Sequence, residues 1–148
     1  MLEGPRAQPQ TLVETFLAFD FGTRRIGVAS GNALLGRGQA RCTLNVAGTQ
    51  HFDAIGKLIY EWQPAGLVVG VPFHPDGAAH ENTVRARRFA RQLHGRFKLP
   101  VHEVDERYTT TEALSSGARG DDADAESAAI VLTQFLNQLQ EAATHAAA

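Results

Sequence analysis

A single cysteine, Cys42, is all the thiol in this chain of 148 residues, which excludes an internal disulfide framework and fits a reducing compartment. No apolar stretch is long enough to span a bilayer, and the opening residues MLEGPRAQPQ lack the apolar core of a secretory signal. A cytoplasmic protein that touches no membrane is therefore expected. Net charge is scarce too: 14 basic and 16 acidic residues leave −2, so there is no global attraction to a polyanion and any nucleic-acid binding must come from a local basic patch. The chain has no G-x-x-x-x-G-K-[ST] loop for a nucleoside triphosphate, no internal repeat, and no low-complexity tract beyond its alanine-rich end. Its six histidines fall at no metal-ligand spacing.

What is present suffices for one core. With 43% hydrophobic residues, a chain of this size can fold as one domain without staples. Residues 14–141 are expected to form it, with flexible tails over 1–13 and 142–148. Strands are expected over Thr15–Phe21, Ile26–Ser30 and Gly36–Leu44, separated by short glycine-containing turns that suit an antiparallel meander. The spacing of Phe52, Ile55, Leu58, Ile59 and Trp62 predicts a helix over Gln50–Trp62. The continuous apolar run Leu67–Val71 reads as a buried parallel strand. A second helix is expected over Glu81–Phe97, a strand over Val101–Val104, a short helix from Thr109, and a last helix over Asp124–Leu139. Three antiparallel strands followed by alternating helices and parallel strands predict a mixed α/β sheet with helices on both faces.

Asp20 stands out against this pattern. It closes the run Phe16-Leu17-Ala18-Phe19-Asp20, where a carboxylate needs a partner or a purpose. Two further acidic residues lie at element boundaries: Glu106 just past the strand Val101–Val104, and Asp124 at the start of the last helix, on the face carrying Ala128, Val131 and Phe135. Three carboxylates brought together repel one another unless a cation compensates them. Oxygen ligands without His or Cys suit Mg2+ or Mn2+, and two such ions could hydrolyse a phosphodiester. Plainer roles exist for each residue. Asp124 could cap its helix, Glu106 could pair with Arg107, and Asp105 competes with Glu106 for the inward direction because neighbouring strand residues face opposite ways.

Five segments, in order, carry a family resemblance: FDFGTRRIGVA (Phe19–Ala29), VVGVPFHPDG (Val68–Gly77), RARRFARQLHGRF (Arg85–Phe97), VDERYTTTEA (Val104–Ala113) and DAESAAIVL (Asp124–Leu132). The chain resembles the YqgF/RuvX family across about Phe16 to Leu139. That resemblance implies an RNase H-like fold related to Holliday junction resolvases, and a nuclease activity assigned in the family to maturing the 5′ end of pre-16S ribosomal RNA. It also implies catalytic and metal-holding roles for Asp20, Glu106 and Asp124. Members often carry lysines before the last acidic residue, whereas Gly117–Ala123 here contains Asp121 and Asp122, which compete with Asp124 for its role.

Basic residues gather near these positions. Arg24 and Arg25 follow Asp20, Arg107 adjoins Glu106, and Arg85 and Arg88 lie one turn apart on the second helix, so all five are candidates for gripping nucleic-acid phosphates. The family resemblance implies structured RNA as the partner, with branched DNA as the alternative. Two other readings compete: a phosphate-binding hairpin of the sugar-kinase and actin-like kind, disfavoured by the chain's size, and a non-catalytic RNA-binding or assembly factor.

Overall fold

The computed structural model describes residues 14–108 and 121–147. The N-terminal tail and the short helix expected from Thr109 lie outside the described residues. β1 (Thr15–Phe21), β2 (Arg25–Asn32) and β3 (Arg37–Asn45) form the meander. α1 (Gln50–Trp62) then leads to β4 (Gly66–Val71), and α2 (Glu81–Phe97) leads to β5 (Val101–Asp105). A single 3-10 turn, Glu106–Tyr108, follows, and α3 (Asp121–Ala147) closes the described chain. The sheet has five strands in the order β3-β2-β1-β4-β5, with β1, β2 and β3 antiparallel and β1, β4 and β5 parallel.

Alternation along the strands divides the interior into two layers. Leu17, Phe19, Ile26, Val28, Leu67, Val69 and Val71 pack on one face against Phe52 and Ile55 of α1 and Phe89 and Leu93 of α2. Phe16, Ala18, Ala29, Val68 and Val104 face the other way, against Ala128, Val131, Leu132 and Leu136 of α3. Many of these side chains are fully buried, and each large one, Val, Leu, Ile or Phe, removes enough apolar area from water to contribute roughly 1.5–3 kcal/mol. β4 is buried throughout, as an apolar strand flanked by two others and covered on both faces must be.

Several boundaries differ from the periodicity, among them the start of α3, which begins at Asp121 and so places Asp124 inside the helix and not at its cap. β2 spans Arg25–Asn32 because its ladder to β3 continues beyond the apolar residues, from Arg25 opposite Asn45 to Asn32 opposite Arg37. β3 starts at Arg37, since Gly36 belongs to the hairpin turn and donates its N–H to the Asn32 carbonyl at 3.0 Å. α3 runs on to Ala147, past the last apolar contact, through a segment rich in alanine, the strongest helix former.

Both α1 and α2 end on a non-glycine residue in the left-handed region, Gln63 (φ 46°) and Lys98 (φ 58°). Lys98 donates its N–H to the His94 carbonyl at 2.9 Å, closing α2. Lys98→Gly is expected to keep this cap while removing the Cβ penalty of the left-handed conformation, worth about 1 kcal/mol. A rise of a few degrees in melting temperature is the expected readout.

Candidate functional site: a carboxylate cluster at the strand ends

Asp20, Gly27 and Gly70 stand side by side across β1, β2 and β4, on the face covered by α3. A Cβ on Gly70 would strike the Glu106 carboxylate and come within 2.9 Å of Val131 Cγ2. A Cβ on Gly27 would run into the Asp124 carbonyl. The two glycines thus make the room in which Glu106 folds back under the sheet and the first turn of α3 closes down on it. Neither was singled out from the sequence, although a glycine inside an apolar strand such as Leu67-Val68-Val69-Gly70-Val71 is the usual sign of a close approach.

Asp20 and Glu106 meet by a side-chain hydrogen bond. Two carboxylates can bond only if one is protonated. Burial is the main cause that pushes the Glu106 carboxyl up, to about 9, helped by its bond to Asp20 and by the charges of Asp20 and Asp105. Asp20 is raised as well, first by burial and further by the nearby charge of Asp124, while its bond to Glu106 works in the opposite direction. Asp124 itself accepts from Arg25 Nε at 2.6 Å. The guanidinium of Arg25 thus offsets the charge of Asp124, while burial favours the protonated form of Glu106 beside Asp20. The side chains of Asp121 and Asp122 lie outside the described residues.

The competition between Asp105 and Glu106 is resolved by strand alternation. Asp105 takes the face opposite Val104 and receives Arg107 through a forked pair of bonds, Arg107 Nε and Nη2 at 2.7–3.1 Å. These contacts hold the Asp105 carboxyl below its ordinary range. Arg107 also lies 5.7 Å from the Phe73 ring centroid and reaches the Pro75 carbonyl at 3.4 Å. It therefore ties the segment after β4 to the strand end beside Glu106. Of the other basic candidates, Arg24 is exposed in the turn before β2. Arg85 is exposed on α2 and pairs with Glu81 at 3.3 Å, and Arg88 is exposed one turn on. His80 caps α2, its Nδ1 accepting the Asn82 N–H at 3.0 Å.

The donor set fits a hard dication: all oxygen, gathered from β1, the turn after β5 and the start of α3. Among the described residues, no three acidic, His or Cys side chains converge on one point that could hold an ion; Asp20 bonds Glu106, and Asp124 accepts from Arg25.

A five-stranded mixed sheet of this order, with carboxylates gathered at the ends of its central and outer parallel strands, is an RNase H-like fold. The chain belongs to the RuvX family, described as Holliday junction resolvase, whose profile matches residues 14–138. It is 64% identical over 127 residues to a protein of Albidiferax ferrireducens named "Putative pre-16S rRNA nuclease", covering 86% of this chain and 80% of the relative. It is 58% identical over 127 residues to a protein of the same name from a Polaromonas species, covering 86% and 91%. In fold it is similar to Thermus thermophilus RuvC, solved in complex with a Holliday junction substrate, with a TM-score of 0.56 at 12% identity over 86% of this chain and 96% of that one. No helix among the described residues is long and apolar enough to cross a membrane.

Proposed function

We propose that the chain is a divalent-metal-dependent nuclease whose substrate is structured RNA, the 5′ region of pre-16S rRNA, acting in the cytoplasm. One observation carries the reading: carboxylates from β1, the turn after β5 and α3 come close enough that Asp20 bonds Glu106 and feels the charge of Asp124, a crowding of oxygen ligands that a dication would relieve. Asp20, Glu106 and Asp124 are the residues that would hold Mg2+ or Mn2+. One ion or a pair would generate the attacking water and stabilise the leaving oxygen.

The chain's own residues do the rest. Asp20 is fixed by strand pairing and gives the cluster its rigid member. Asp124, on the first turns of α3, can exchange Arg25 for a cation without moving the helix. Arg25, once released, stands beside the cluster with Arg24 to receive a phosphate, and Arg85 and Arg88 extend the basic surface along α2. Arg107 serves by holding the segment after β4, while most of its donors are engaged by Asp105.

Because the guanidinium competes with a cation for Asp124, Arg25→Ala is expected to tighten Mg2+ binding severalfold in the absence of RNA. Stability should fall by no more than about 1 kcal/mol, the ceiling for an exposed pair. Calorimetric titration and a melting curve check the two parts.

The reading is tested by offering a structured RNA spanning the pre-16S 5′ junction, and a four-way DNA junction, with Mg2+, with Mn2+ and with chelator. Metal-dependent cleavage of the RNA, with little action on the junction, is the expected result. Preferential cutting of the junction would favour the resolvase activity named for the family. Binding of RNA without cleavage in any metal would mark a non-catalytic assembly factor.

A further inference from the structure

The region where β2 and β3 form their far end holds a second built site, on the opposite face of the sheet from the carboxylates and at the opposite end of β1. A cleft of about 290 Å³ opens there between the hairpin and the end of α1, and Ser30, Leu35, Arg37, Gln39, Arg41 and Trp62 are among its walls. Thr15 also lines it, five residues before Asp20 and so roughly 17 Å away along the strand. Its volume lies at the small end of ligand clefts, which run from roughly 300 to 1,000 Å³.

Arg41 is what makes this more than a surface dimple. Val28 pairs with Cys42 and Ala29 with Ala40, so Arg41 is the extra residue of a β-bulge, a device that re-aims a side chain. Its Nε donates at 2.7 Å to Ser30 Oγ, and Ser30 is itself only 2% exposed. Its Nη2 donates to Gln39 Oε1 at 2.7 Å, and its guanidinium lies 4.7 Å from the Trp62 ring centroid. A long, rotamer-rich side chain is thus immobilised on three sides. Among the described residues, neither Arg41 nor Arg37 has a carboxylate partner. A fixed, uncompensated cation stacked on an indole, with an apolar side chain and amide groups around it, matches the mixed chemistry of a nucleotide: an anionic phosphate and a flat, polar-edged ring. A bare anion would have no use for Trp62 and Leu35, and an apolar ligand none for two arginines.

We propose that this cleft binds one unpaired nucleotide, its phosphate held by Arg41 and Arg37 and its base lying against the Trp62–Arg41 stack. It acts as an anchoring site for RNA that passes round the β3 side of the sheet from the carboxylate cluster. The choice of RNA as the source rests on the nuclease reading, while the nucleotide chemistry of the cleft does not.

Trp62 is the only tryptophan, so its fluorescence reports this site alone. The full chain, kept metal-free with chelator, is titrated with a short unstructured oligoribonucleotide, with a nucleoside monophosphate and with inorganic phosphate. A saturable change in Trp62 emission with the oligoribonucleotide is expected. Affinity should fall about tenfold in Arg41→Gln and severalfold in Arg37→Ala, with the salt dependence of binding lowered by roughly one in slope for each variant. Arg37 is exposed and its side chain bonds no described residue, so its variant tests the site without threatening the fold. An equal response to the monophosphate supports the cleft with a free nucleotide as its source. Inorganic phosphate binding as tightly as either would overturn it in favour of a bare anion site. An oligoribonucleotide that binds by anisotropy with Trp62 emission unmoved and Arg37→Ala unaffected would overturn it as well. Cleavage is assayed separately with Mg2+, so a silent cleft with active cleavage, or a responsive cleft with none, tells which of the two proposals fails.

Discussion

Asp20→Asn is expected to lower phosphodiester hydrolysis by roughly 10³-fold or more, equivalent to at least about 4 kcal/mol of barrier, while the protein remains folded and no less heat-stable. The two halves of the result come from the same geometry. Asp20 lies where β1 is pinned on both sides, by β2 at Gly27 and by β4 at Gly70, so the amide occupies the same place as the carboxylate but cannot supply its charge to a cation. Stability is spared because a buried carboxylate beside Glu106, with the charge of Asp124 close by, is costly to the folded state. Asparagine can still hydrogen-bond Glu106 and carries no charge to repel it. A variant that loses activity and melts well below the parent would assign Asp20 to the scaffold instead.

The second large effect is a pH dependence of stability in the metal-free protein. Glu106 holds its proton more tightly in the folded chain, up to about 9, than in the unfolded one, where its ordinary value is 4.5. The stability this group brings is therefore complete below its ordinary range, and it is lost as the pH rises toward about 9. Between pH 7 and 9 the metal-free protein should lose up to about 1 kcal/mol per pH unit, and saturating Mg2+ should abolish most of the slope by supplying the charge that the proton otherwise neutralises. Glu106→Gln should flatten the same curve without metal. Denaturant melts at three pH values decide the matter, and a metal-free stability that is level or rising across this window would remove the shared proton.

Much of the fold was legible because it depends on short-range patterns. The apolar run Phe16–Phe19, the unbroken run Leu67–Val71 and the helical spacing of Phe52 with Ile55 and of Phe89 with Leu93 each report a burial that the sheet and its helices realise. Asp20 was legible for the same reason in reverse, as a charge in a strand that should not hold one. What could not be read were distances across the chain. Nothing in the residues around Asp124 says that Arg25, remote in sequence, would bond it. Nor do Gly27 and Gly70 announce which atoms come close to them.

The choice between Asp105 and Glu106 needed the strand's orientation, which local alternation states only up to a swap of faces. Arg107 and Arg25 are both candidates in the sequence for gripping phosphate. In the folded chain Arg107 is forked onto Asp105 and Arg25 sits on Asp124, so the exposed cations nearest to an unengaged state are Arg24 on its turn and Arg88 on α2. The bulge at Arg41, invisible to any period-two pattern, is a further case: one extra residue changes which way a side chain points.

The most direct test of the central claim, that the three carboxylates trade a proton and a guanidinium for a dication, is the number of protons released on metal binding. Titrating Mg2+ or Mn2+ into the protein near pH 7.5 in buffers of different ionisation enthalpy gives that number. About one proton released in the parent protein, and close to none in Glu106→Gln, is the predicted result. Binding with no proton released from the parent, or no binding at all, would contradict it.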